Sequence, residues 1–230
     1  MAAGEGTRLR PLTERWPKPV LPIDGRPVIA TLLRELAAAG CARAFVVTGY
    51  LAEQVEALVG DGSGFGLVVQ FVHQPSVLGS ADAVRRALAA GAEPPVLVSG
   101  ADTVFVPGDV GRVALLSGGF AGALACRRDP PPEPPHRFAT RIEDGVVTRV
   151  LDNDPANPLS GAPLWVLGSQ VLPFLEGLSG PPYELSGALQ RAIDAGHSIA
   201  GVEIGPTRDL THPADLVVQN FTYLSLDGSG

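Results

Sequence analysis

Two cysteines, Cys41 and Cys126, are all that the 230 residues provide, and they lie too far apart for a disulfide framework or a zinc cluster. A soluble, reducing, cytoplasmic setting is the expectation. No apolar run approaches the roughly 20 residues that cross a bilayer, and no basic-then-apolar start suggests a secretion signal, so no membrane partner is expected. Positive charge is scarce too. A net charge of −7 offers no basic field to a phosphate polymer, so no nucleic-acid partner is expected either. A small phosphorylated ligand stays open, because a few placed cations suffice for it. Lysine is scarcest of all: of 17 basic residues, only Lys18 is not arginine. It stands between two prolines, shortly after a glycine-rich opening, which invites a chemical reading of that one ammonium.

What is present suits one α/β domain with a large core: 45% of residues are hydrophobic, and mean hydropathy is +0.20. Residues 27–39 read as a helix, with Val28, Ile29, Leu32, Leu33 and Leu36 on one stripe, Pro27 at the first turn and Gly40 at the stop. Strands are expected at 44–48, 67–72 and 95–99, alternating with helices at 53–59 and 80–90. That alternation predicts a Rossmann-like, doubly wound, mostly parallel sheet with helices on both faces. Ligands of such sheets bind beyond the carboxyl ends of the strands. In the second half, strands are expected at 120–126, 138–142, 146–151, 163–167 and 199–204, with helices at 183–195 and 213–224. The prolines of 129–135 predict an extended surface loop. The domain is expected to span 1–226, with 227–230 a disordered tail.

The opening, Ala2-Ala3-Gly4-Glu5-Gly6-Thr7-Arg8-Leu9-Arg10-Pro11, leads to Pro17-Lys18-Pro19. Glycines at 4 and 6 let the backbone approach a ligand and turn successive N–H groups toward a phosphate. Arg8 can fork onto two phosphate oxygens, and Lys18 adds a compact point charge. The third glycine of a dinucleotide fingerprint and the Gly-Lys-Ser/Thr of a P-loop are both missing, so neither pattern accounts for the segment. Further on stand Gln74, whose amide offers a donor and an acceptor, and Gly79, which leaves room beside its backbone. The buried run 96–99 delivers Asp102 at its carboxyl end, where a carboxylate can face a metal.

With those residues in view, the run from Ala2 to Thr13 followed by Pro17-Lys18-Pro19-Val20-Leu21-Pro22-Ile23 resembles the signature of the sugar-1-phosphate nucleotidyltransferase family. That family includes glucose-1-phosphate thymidylyltransferases and the uridylyltransferases of cell-wall sugars. The resemblance implies an enzyme that transfers a nucleotidyl group from a nucleoside triphosphate, UTP or dTTP, to a sugar-1-phosphate with loss of pyrophosphate. By the same carry-over, Ala3, Gly4, Glu5, Gly6 and Thr7 would hold the triphosphate, Arg8 and Lys18 would contact the reacting phosphates, and Gln74, Gly79 and Ser80 would face the base. Asp102 and Asp209 would bind Mg²⁺. Asp209 opens Asp209-Leu210-Thr211-His212-Pro213-Ala214-Asp215-Leu216, where threonine and histidine replace the family's glycine and threonine. His212 reads as a helix-entry residue, since hard magnesium prefers oxygen.

The sugar side departs further. Ala139, Asn153, Ser160, Gly161 and Glu184 stand roughly where the family contacts its sugar, but the expected lysine is missing; Arg137 or Arg208 would have to replace it. The resemblance also places a short hydrophobic strand directly before the glycine loop. Met1 falls where that strand should have ended, so a truncated first strand is expected. Both departures leave open a non-catalytic, nucleotide-sugar-binding regulatory homologue.

Overall fold

A computed structural model describes residues 1–128, 139–154 and 156–221. The proline-rich 129–135, Arg137 and the tail 227–230 lie outside the described residues. In chain order the elements are β1 (Pro22–Ile23), β2 (Arg26–Pro27), α1 (Val28–Ala38), β3 (Arg43–Thr48), α2 (Ala52–Val59), β4 (Val68–His73), α3 (Ser80–Ala89), β5 (Val96–Ser99), β6 (Thr103–Val104) and α4 (Asp109–Leu116). Then follow β7 (Gly122–Arg128), β8 (Ala139–Glu143), β9 (Val146–Asp152), β10 (Leu159–Leu167), α5 (Leu185–Asp194), β11 (Ile199–Ile204), β12 (Arg208–Asp209) and α6 (Pro213–Asn220).

Parallel pairing runs through the first half: β3 pairs with β4, and Ala2 bridges Thr48 in the same sense. In the second half, β11 runs parallel to β7, while β10 lies antiparallel between β5 and β7, and the β8–β9 hairpin closes the edge. Helices cover both faces, and the two-residue period of β7 shows how. Ala123 and Ala125 face a core with α1, α2 and α4 (Leu33, Val55, Val113), whereas Leu124 and Cys126 face one with α3 and α5 (Val84, Leu189). The α1 stripe behaves as its spacing predicts: Val28, Ile29, Leu32 and Leu33 are buried, and Leu36 is partly buried. Burial pushes the Cys126 thiol up to about 12, and Cys41 is raised as well, so neither is a ready nucleophile.

Between β3 and β5 the chain contributes only its first residues. The Ala2 N–H donates to Val47 O at 2.7 Å, the Met1 α-amino group to Ser99 O at 2.8 Å, and the Ala101 N–H to Met1 O at 2.9 Å. These are strand-ladder bonds. Behind Met1 the facing edges of β3 and β5 border a groove of about 740 Å³, lined by Leu33, Phe45, Val46, Val84, Leu97 and Val98 among others. Burial lowers the Met1 ammonium to about 6, against a raising influence from Asp102.

Candidate active site

Each segment of interest arrives at the same end of the sheet. The glycine loop follows Ala2, Gln74 follows β4, and Asp102 follows β5, so all three leave the carboxyl ends of strands, as such sheets require. They meet in a pocket of about 490 Å³ lined by Ala3, Gly4, Gly6, Thr7, Arg8, Lys18, Gln74, Gly79, Ser80, Asp102 and Glu184. The larger groove behind Met1 is lined mainly by aliphatic side chains, whereas Arg8, Lys18, Asp102 and Glu184 converge on the smaller one. The smaller pocket, where charged side chains meet, is the better candidate for chemistry.

Local sequence explains the loop. Gly6 has φ +62°, a left-handed conformation, and a Cβ there would sit 3.0 Å from the Thr13 Cγ2. The buried Thr13 hydroxyl donates to Gly6 O at 2.9 Å and locks the turn. Gly4 needs no left-handed backbone; a Cβ on it would meet open space. Leu9 is buried with Leu21, Ile23, Val104 and Leu210, anchoring the loop from behind. Arg8 is thereby held at the pocket, exposed, with no hydrogen bond or ion pair among the described residues. Lys18 Nζ lies 2.8 Å from Asp102 Oδ2, its side chain mostly buried and the carboxylate partly exposed.

Two sequence expectations need correction. The Gln74 amide was expected to show a ligand both a donor and an acceptor. Its Nε2 instead donates to Asp82 Oδ2 at 2.8 Å and to Gly79 O at 3.2 Å, so both donors are spent inside the protein. Gly79 was expected to make room for a ring. It is required by protein instead: φ is +101°, and a Cβ would sit 2.5 Å from Tyr183 N. The tight approach is tied by Tyr183 N–H to Leu78 O at 2.7 Å and Ala81 N–H to Tyr183 O at 2.9 Å. Ser80 completes the seam, its hydroxyl donating to Glu184 and accepting from the Leu185 N–H. Ser80, expected on the nucleotide side, and Glu184, expected on the sugar side, therefore touch directly.

Other residues fall outside this pocket. Glu5 is exposed and pairs with Arg10 at 3.5 Å. Asp209 sits in β12, opposite Thr103 of β6, one residue from Asp102 in register; its Oδ1 accepts from Thr211 Oγ1 at 3.0 Å. Leu210 and Thr211 line the pocket, but Asp209 is not among the lining residues. Ala139 is buried in β8 opposite Ser160, Gly161 lies opposite Cys126, and Asn153 is exposed; none of these four lines the pocket. Arg208 is held by both oxygens of Asp24, so it does not replace the missing cation. His212 is the N-cap of α6, with Asp215 closing the capping box, as its sequence context implies. Sequence reasoning missed Thr13 and Asp82. Neither forms a pattern with its neighbours, because each acts on a residue that only folding brings near.

The donor set fits a hard divalent cation. Asp102 lies in the turn just before β6 and Asp209 in β12, the strand paired with β6; a hard divalent cation takes one or two carboxylates and completes its shell with water and phosphate oxygen. Among the described residues no group of three His, Cys, Asp or Glu side chains that could hold a metal ion exists. No helix among the described residues is long and apolar enough to cross a membrane.

The chain is similar to known nucleotidyltransferases. A nucleotidyl transferase family model matches residues 1–111. The chain is 29% identical over 234 residues to a glucose-1-phosphate thymidylyltransferase of Streptomyces griseus, covering 96% of this chain and 64% of that protein. It is 41% identical over 86 residues to a mannose-1-phosphate guanylyltransferase of Mycobacterium tuberculosis, covering 37% of this chain and 24% of the relative. A solved structure of UDP-glucose pyrophosphorylase complexed with UDP-glucose shares the fold, with a TM-score of 0.80 at 20% identity and 96% of both chains covered. The chain thus spans just under two thirds of the thymidylyltransferase it matches from end to end.

Proposed function

We propose that this chain, whose residues 1–111 match a nucleotidyl transferase family model, transfers a nucleotidyl group from UTP or dTTP to a sugar-1-phosphate and releases pyrophosphate. One observation carries the reading. Lys18 and Asp102 meet at 2.8 Å in a pocket that Arg8, the glycine loop and Gln74 also line. A cation pair, a metal-competent carboxylate and a base-sized polar contact are what such a transfer needs in one place.

In the proposed reaction an oxygen of the sugar phosphate attacks the α-phosphorus in line. The new O–P bond forms as the bond to the β-phosphate bridging oxygen breaks, and pyrophosphate leaves with that electron pair. Little covalent work falls to side chains, so catalysis is positioning and charge neutralisation. Arg8 and Lys18 stabilise charge on the reacting and departing phosphates. Asp102 and Asp209 would hold Mg²⁺, whose chemistry is to neutralise phosphate oxygens. The test is a pyrophosphate-release screen of four nucleoside triphosphates against a panel of sugar-1-phosphates. Release with uridine or thymidine triphosphate supports the reading; release with none contradicts it.

The second reading, a regulatory binder of nucleotide sugars, is favoured by one observation: Arg208 is tied to Asp24, so it offers the sugar phosphate no substitute for the missing lysine. Tight binding of nucleotide sugar without pyrophosphate release would select it.

A further inference from the structure

We infer that Asp82, braced by Arg86, is a positioning residue that fixes which end of the Gln74 amide faces the nucleobase and so selects bases bearing an N–H on that edge. The inference deepens the nucleotide site proposed above and rests on Gln74 meeting the base. Gln74 is buried at 3% exposure and lines the pocket. The two groups that fix its amide, the Asp82 carboxylate and the Gly79 carbonyl, are both acceptors. Turning the amide over would set Oε1 against two oxygens, so the chemistry of its neighbours fixes its orientation.

Asp82 can enforce this because it stays ionised. It lies in the first turn of α3, 8% exposed, and Arg86 one turn later donates to the same Oδ2 at 2.6 Å. Burial pushes its pKa up, but bonds from Arg86 and Gln74 and the charges of Arg86 and Arg85 outweigh that, leaving it below the usual carboxylate range. An ionised carboxylate only accepts. With both Nε2 hydrogens committed, Oε1 accepts no hydrogen bond among the described residues and is the amide atom left for a ligand.

An acceptor at that point satisfies the N3–H of uracil or thymine. It opposes the bare N3 of cytosine, where two lone pairs would face each other and both groups would go unpaired. UTP and CTP differ only along this edge, so their affinity ratio reads the amide orientation.

The test compares dissociation constants of UTP and CTP for the wild-type chain, Asp82→Asn, Asp82→Glu, Arg86→Gln and Gln74→Ala. An asparagine amide can donate to Oε1, freeing the Gln74 amide to turn over. The UTP-to-CTP preference is expected to fall about tenfold in Asp82→Asn, the scale of one charged hydrogen bond. Asp82→Glu keeps an acceptor and should keep most of the preference. Arg86→Gln should lower it about two- to threefold without touching Gln74, which keeps the inference testable if Asp82→Asn fails to fold. A merely structural role would weaken both nucleotides equally. An unchanged ratio in Asp82→Asn, or in Arg86→Gln where the former does not fold, overturns the inference even if Gln74→Ala weakens UTP. If Gln74→Ala leaves UTP binding intact, the base contact itself fails, and the inference with it.

Discussion

The side proposed to take the nucleotide and the side proposed to take the sugar are built differently. The nucleotide side gathers the ends of Ala2, β4 and β5, neighbouring parallel elements whose loops all leave the sheet at one end. Its groups are held by contacts that over-determine them: Thr13 on Gly6, Asp82 on Gln74, Asp102 on Lys18. The sugar side draws on β8, β9 and β10, an antiparallel set whose register shifts between Gly161 and Trp165 and between Ala139 and Arg141. Of its expected residues only Glu184 reaches the pocket, and it does so through Ser80. Preorganisation is therefore concentrated where the triphosphate would react.

The sharpest way to break that contrast is Lys18→Ala. Losing a single transition-state cation should lower the kcat of pyrophosphate release by about a hundredfold or more. Near-normal turnover would remove Lys18 from the chemistry. Next is Gly79→Ala, which forces a β-carbon toward the Tyr183 backbone at positive φ. It should cost about 2–3 kcal/mol in urea unfolding and weaken binding of both substrates, because the Ser80–Glu184 seam joins the two sides. A smaller effect comes from pH. A chain with a free Met1 amine has a folded-state pKa near 6, below the unfolded value near 8. Between those values the unfolded chain binds more protons, so stability rises with pH from 6 to 8, by on the order of 2 kcal/mol. Urea midpoints at the two ends should show the rise, and acetylating Met1 should abolish it. The smallest effect is expected at Asn153→Ala, which should change the sugar-phosphate KM by less than about threefold, since the residue is exposed and outside the pocket.

What could be read from the sequence follows the same division. The α1 stripe, the strand ending at Ser99 and the glycine loop carry their information within a few residues, through helical spacing, apolar runs and turn chemistry. Arg8, Lys18, Gln74 and Asp102 were visible for that reason, and the fold sets them around one pocket. The spent donors of Gln74 were not visible, because Asp82 lies eight residues away and reaches it only once α3 packs against β3 and β4. Nor was the role of Gly79, whose constraint comes from Tyr183, over a hundred residues on. β10 runs between β5 and β7, so its placement depends on pairings across the whole chain that no local pattern announces.

The central claim is that Lys18 and Asp102 act on one metal-bound triphosphate. A double-mutant cycle on UTP-dependent pyrophosphate release tests it most directly, with Lys18→Ala, Asp102→Asn and their combination. If both serve the same transition state, the double variant should be little worse than the worse single one. Fully additive losses would contradict the account.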